Sequence, residues 1–198
     1  MEKPKVMKLK PDTALILVDV QNDFCPGGAL AVPEGDKVVP ILNHYIQAFV
    51  QAGAPVYATR DWHPSNHCSF KPQGGPWPAH CVQESLGAQF HPDLALPPGT
   101  VIISKASNPV EDAYSGFQGT DLGQRLKSKG IRQILVGGLA TDYCVKSTIL
   151  DGLKAGFQMY FLSDASRAVN VNLDDEKKAI EEMIAAGAST LTLKQITP

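Results

Sequence analysis

Five short apolar runs rich in β-branched residues constrain this chain more than any other feature: Ala14–Val18, Val56–Thr59, Val101–Ser104, Ile134–Val136 and Met159–Leu162. A sixth, weaker run covers Thr190–Leu193. Most are apolar throughout instead of alternating, which predicts strands buried on both faces of a parallel sheet. Helical patterns separate them. Val38 to Ala52 sets Val38, Ile41, Leu42, Tyr45, Ile46 and Phe49 along one stripe, and Asp121–Lys129, Asp142–Ala155 and Asp174–Ala186 follow. Strands alternating with helices predict an α/β fold, a three-layer α/β/α sandwich around a mainly parallel six-stranded sheet. At 198 residues, one domain spanning the chain is expected.

One stretch breaks the rhythm. Residues 61 to 99 show little periodicity, carry many Pro and Gly, and hold four of the five histidines, His63, His67, His80 and His91. A loop of that length inside a compact domain is functional or disordered. Phe70, Trp77 and Phe90 argue against disorder.

Composition narrows the function classes. The charged fraction is 19% and the net charge is −2, which provides no basic stripe for nucleic acid and no polybasic membrane patch. A small-molecule substrate fits this balance. Cys25, Cys68, Cys81 and Cys144 are widely spaced in a chain able to build a core, so reduced thiols and a cytoplasmic setting are expected. The apolar run after the charged N-terminus stops at Asp19, too soon for a signal peptide.

Ligands of open parallel sheets bind at the carboxyl ends of the strands. Here the first run stops on Asp19, the second on Arg60-Asp61 and the third on Lys105. The fourth leads through Gly137-Gly138-Leu139-Ala140-Thr141-Asp142-Tyr143 to Cys144. Two carboxylates, an ammonium and a thiol should therefore converge on one edge. Each has a plainer reading: Asp19 as a loop cap, Lys105 as a solvated strand end, Asp61 paired with Arg60. Together they describe a nucleophile site. A helix start and a neighbouring ammonium favour a thiolate, so Lys105 is expected to lower the Cys144 pKa. Asp19 could take the thiol proton and pass it to a leaving amine, which predicts amide hydrolysis through a thioester.

Asp61-Trp62-His63 places two metal ligands on one face of an extended segment, and His80 could close the set. One carboxylate and two imidazoles suit Zn, Fe(II) or Mn(II). Loop histidines bonded to backbone are the plainer alternative. His67 is a further candidate, as a fourth ligand or as support behind the others. His44 and His91 carry no assigned role.

With these residues in hand, the chain resembles the nicotinamidase (pyrazinamidase) branch of the isochorismatase-like cysteine hydrolase family. The resemblance runs from Ala14 to about Leu193. It rests on Asp19-Val20-Gln21-Asn22-Asp23-Phe24, Asp61-Trp62-His63-Pro64, Trp77-Pro78-Ala79-His80-Cys81, Lys105 at its strand end, and Gly138-Leu139-Ala140-Thr141-Asp142-Tyr143-Cys144-Val145. It implies a catalytic triad of Asp19, Lys105 and Cys144, with Asp61, His63 and His80 holding a divalent metal. It also implies an oxyanion hole from the backbone N–H groups of Ala140 and Cys144, a cis peptide bond between Leu139 and Ala140, and Phe24, Trp77 and Tyr114 flanking a pyridine ring. The implied reaction is hydrolysis of nicotinamide to nicotinate and ammonia in NAD salvage, with pyrazinamide also accepted. A homo-oligomer is compatible with the family. Ala106 stands where the family commonly has glycine. Family amidases acting on carbamoyl or ureido substrates are the alternative, though they generally lack the Asp61, His63 and His80 set.

Overall fold

The computed structural model describes residues 6–198; the first five residues of the charged N-terminus lie outside the described residues. In chain order the strands are β1 (Met7–Lys8), β2 (Thr13–Val18), β3 (Val56–Asp61), β4 (Val101–Lys105), β5 (Gln133–Leu139), β6 (Gln158–Arg167), β7 (Ser189–Leu191) and β8 (Ile196–Thr197). The helices are α1 (Val38–Gln51), α2 (Leu122–Ser128), α3 (Lys146–Lys154) and α4 (Asp175–Ala185). Six strands form one parallel sheet in the order β4-β3-β2-β5-β6-β7. This is the expected architecture. Among the described residues, no helix is long and apolar enough to cross a membrane.

The apolar runs become strands because both of their faces are covered. Along β2, Leu15 and Leu17 enter one core with Val38, Leu42, Tyr45, Ile46 and Phe49 of α1. Ala14, Ile16 and Val18 enter a second core with Leu122 and Leu126 of α2, Ile149 of α3 and Met183 of α4. The period-2 alternation of a strand thus feeds two helical layers, and every residue of β2 is buried. A fully buried leucine or isoleucine contributes roughly 1.5–3 kcal/mol relative to exposure.

The order of connections locates the site. From β2 the chain moves outward through β3 to β4, then returns to β5 on the other side of β2 and continues to β6 and β7. Strand order reverses between β2 and β5, and crevices form at such a switch point beyond the carboxyl ends. Register keeps those ends level: Val18 pairs with Thr59 and with Gly138, and Asp61 pairs with Lys105. Gly138 has φ +127°, and a Cβ there would lie 2.2 Å from the Val18 carbonyl oxygen. Only glycine lets β5 and β2 approach this closely at the crevice.

Three features depart from the sequence reading. The second strand runs on through Arg60 and Asp61. The helical pattern after Ala140 opens with a π-helical turn, Thr141–Val145, before α3 begins. A two-residue parallel ladder joins β1 to β8 and ties the two chain ends together.

Candidate active site

Strand ends deliver the polar residues to one buried cluster. Asp19 follows β2 directly, with φ +49°, and is fully buried. Its Oδ1 accepts a hydrogen bond from the Thr59 hydroxyl at 2.6 Å, and its Oδ2 lies 2.9 Å from Lys105 Nζ. Lys105, at the end of β4, is 1% exposed. Its ammonium donates to Asp61 Oδ1, to the Ala113 carbonyl at 3.2 Å and to Cys144 Sγ at 3.5 Å. Asp19, Asp61 and Cys144 each offer an atom within 4.8 Å of the others. The structure therefore brings together the four residues expected at this edge. The plainer pairing of Asp61 with Arg60 does not form: Arg60 bonds Ser104 Oγ at 2.9 Å and stacks over the Trp62 ring at 3.6 Å.

Charge balance in this cluster corrects one expectation. Burial pushes the Cys144 thiol well above its ordinary range; Lys105 opposes that shift, but the carboxylates of Asp19 and Asp61 reinforce it. Lys105 thus pulls the Cys144 pKa down as expected, but burial and the two carboxylates outweigh it and favour the neutral thiol over the thiolate. Burial also raises the Asp19 carboxyl, against the pull of Lys105. Lys105 stays protonated, because two carboxylates outweigh the cost of burying its charge. A buried thiol beside a carboxylate of raised pKa is an arrangement for shuttling one proton between them.

Asp61, His63 and His80 lie beside this cluster, each with a ligating atom within 4.8 Å of the others. Nδ1 of His63 lies 3.0 Å from the His80 carbonyl oxygen, and Nδ1 of His80 lies 2.8 Å from that of Pro78. A carbonyl can only accept, so each Nδ1 carries the proton and each Nε2 keeps a lone pair for a cation. Burial, with His80 second, drives the His63 pKa down to about 3, holding it in the neutral, ligating form. The donor set thus fits a divalent metal.

His67 is placed differently. Its Nδ1 accepts from the Ser69 backbone N–H at 3.3 Å and meets Ser69 Oγ at 2.7 Å, while Nε2 donates to the Glu111 carbonyl at 3.1 Å. Both nitrogens are taken, and the ring packs 4.3 Å from that of His63, centroid to centroid.

A narrow cavity opens on Cys144 and Asp61. Phe24, Trp77 and Tyr114, the three aromatic residues expected there, line it with Leu30, Val32 and Val169. Trp77 Nε1 donates to Tyr114 Oη at 3.0 Å. Tyr143, which the sequence reading missed, joins the wall with its ring edge-on to Trp77 at 5.4 Å. Its place beside Cys144 was the available signal. Ala140 also lines the cavity, and the Leu139–Ala140 peptide bond is cis.

Gln21 is a second residue missed by sequence reasoning. Its fully buried amide accepts from the Asp61 N–H at 2.8 Å and donates to the carbonyls of Asp61 and Ala88 at 2.8 and 2.9 Å. It clamps the backbone on which both the ion pair and the metal set depend.

Known proteins resemble this chain over most of its length. Residues 13–195 match the isochorismatase domain. The nicotinamidase of Escherichia coli strain K12 is 45% identical over 204 residues, covering 92% of this chain and 96% of that protein. The pyrazinamidase of Pyrococcus horikoshii, solved in complex with zinc, superposes with a TM-score of 0.89 at 51% identity, covering 92% of this chain and all of the other. PnC1 of L. infantum, solved with nicotinate, gives a TM-score of 0.91 at 35% identity, covering 97% and 98%. This chain belongs to the isochorismatase family.

Proposed function

We propose that the chain is an amidohydrolase converting nicotinamide and water to nicotinate and ammonia, the whole chain acting as one hydrolase domain. One observation carries the reading: Cys144 opens on an aromatic-walled cavity with Lys105 and Asp19 buried behind it, beside a carboxylate and two imidazoles with free Nε2 lone pairs. The relatives' activities and the ligand of the L. infantum structure support it.

The chemistry follows from the site's charges. Asp19 takes the Cys144 proton as the sulfur attacks the carboxamide carbon, so the thiolate exists only when it is needed. Backbone N–H groups of Ala140 and Cys144 receive the negative charge that develops on the carbonyl oxygen. Asp19 then gives its proton to the departing ammonia, and a nicotinoyl thioester remains on Cys144. Water entering the vacated space loses a proton to Asp19, attacks the thioester and releases nicotinate with the thiol restored. Lys105 keeps Asp19 and Asp61 in place and stabilises negative charge on the sulfur. Phe24, Trp77, Tyr114 and Tyr143 hold the ring.

A divalent ion on Asp61, His63 and His80, zinc by analogy with the P. horikoshii relative, would offer a Lewis acid to the ring nitrogen. Pyrazinamide keeps both the ring nitrogen and the carboxamide, so it is a second substrate. The reaction returns nicotinate to NAD salvage in the cytoplasm, a setting that suits four free thiols.

Ammonia release from nicotinamide by the metal-replete wild type, with Cys144→Ala beside it, tests the reading. Release by the wild type and none above background from the variant is expected. Equal release from both would remove Cys144 from the mechanism, and release from neither would remove nicotinamide as substrate.

A further inference from the structure

The mechanism leaves one buried carboxylate unused, although it lies two residues before the nucleophile. Asp142 is 7% exposed and sits in the π-helical turn that carries Cys144. A carboxylate in the first turn of a helix commonly caps that helix. Asp142 does something else. Its Oδ1 accepts from the backbone N–H of Val169 at 3.0 Å, and its Oδ2 from that of Asn170 at 2.9 Å. Both acceptors thus serve a segment 27 and 28 residues away in sequence.

That segment is a wall of the cavity. Val169 lines it opposite no regular element of its own: β6 has ended at Arg167, and α4 begins at Asp175. Asn170 takes φ +52°, and the chain then runs into solvent, with Val171 64% and Leu173 95% exposed. The pocket face of this connection is thus held where its neighbours are not packed. The preceding residues are tied to the same turn, since Thr141 Oγ1 donates to Ser166 Oγ at 3.0 Å and Ser166 Oγ donates to the Gly138 carbonyl at 2.8 Å.

We propose that Asp142 is a positioning residue that sets the width of the ring pocket, tying the Val169 wall to the nucleophile turn and so selecting unsubstituted six-membered-ring carboxamides over ring-substituted ones. This deepens the amidohydrolase reading above and rests on it. Paired bonds from one carboxylate to two adjacent N–H groups fix both the distance and the tilt of the segment. The side chain of Val169 then stands at a set distance from Cys144, whichever way the exposed residues beyond it move. Asparagine at this position would keep one acceptor and turn an amide donor toward an N–H group, releasing one of the two bonds.

The test compares the wild type, Asp142→Asn, Val169→Ala and the double variant. Hydrolysis of nicotinamide and of a ring-methylated nicotinamide is measured, together with the rates at which iodoacetamide and the bulkier N-phenylmaleimide alkylate Cys144. Asp142→Asn should raise KM for nicotinamide by about tenfold, the scale of one charge-assisted hydrogen bond, with kcat within about threefold of wild type. It should narrow the preference for the unmethylated ring by about tenfold and raise the maleimide rate relative to iodoacetamide. Val169→Ala, with the carboxylate intact, should narrow the same preference, and the double variant should do little more than either single one. Loss of kcat in Asp142→Asn with KM and ring preference unchanged would overturn the proposal, as would an unaltered preference in Val169→Ala. If the wild type hydrolyses neither carboxamide, the amidohydrolase reading fails by itself. The alkylation ratio then decides the tether alone, an unchanged ratio overturning it.

Discussion

At the scale of single residues, the site is a set of buried charges that hold one another in place. Lys105 is 1% exposed and survives as an ammonium because Asp19 and Asp61 both face it. That much was legible in sequence, since a carboxylate or an ammonium at the end of an apolar run has few other places to go. The protonation state of Cys144 was not. Proximity of Lys105 suggested a thiolate, but the number of carboxylates sharing the lysine and the depth of burial are set by chain segments remote in sequence. Ala106 shows the reverse case, a local oddity visible early. It follows Lys105 with φ +51°, a conformation that costs an L-residue roughly 1–2 kcal/mol and glycine almost nothing. Ala106→Gly relieves that strain while adding about 0.4–1 kcal/mol of unfolded-chain entropy. Urea denaturation should therefore find the variant more stable by up to about 1.5 kcal/mol. A loss of more than about 1 kcal/mol would show that the alanine methyl, not the backbone, matters there.

Elements position these residues through register. Because Asp61 pairs with Lys105 across β3 and β4, and Val18 pairs with Gly138 across β2 and β5, Asp19, Lys105 and Cys144 meet without long lever arms. Runs of β-branched residues made the strands readable, and the sheet required their ends to share an edge. The clamp on Asp61 was less readable. Gln21 lies in an irregular segment after β2, and nothing in its neighbourhood shows that its amide reaches 40 residues along the chain. Gln21→Met keeps the volume but leaves the Asp61 N–H and carbonyl without partners, each costing about 1–3 kcal/mol when buried. Loss of such outer support typically weakens metal affinity by about 10–100-fold. Competition for zinc against a chromophoric chelator should show that drop in protein that remains folded by circular dichroism. Unchanged zinc affinity would mean that β3 alone fixes Asp61.

Over the whole molecule, the switch in strand order between β2 and β5 brings the thiol, the carboxylates and the ammonium to one crevice, and two irregular segments close it. The six strands of the main sheet, the layer order and the meeting of Asp19, Lys105 and Cys144 at one edge could be read from pattern, because each follows from where the apolar runs lie and end. The walls could not: Leu30, Val32 and Val169 lie in irregular segments and Tyr143 in a π-helical turn, where no periodicity marks which side chain faces the cavity. The histidine-rich loop proved ordered around Phe70 and His67, both buried. An acyl group on Cys144 is the step on which the proposed reaction turns. Hydrolysis in the presence of hydroxylamine tests it most directly, with nicotinamide and methyl nicotinate as paired substrates. A shared thioester must forget its leaving group, so both should give the same ratio of nicotinohydroxamate to nicotinate, and Cys144→Ala should give neither product. Different ratios from the amide and the ester, or nicotinate alone from both, would contradict a common acyl-enzyme and point to direct attack by water.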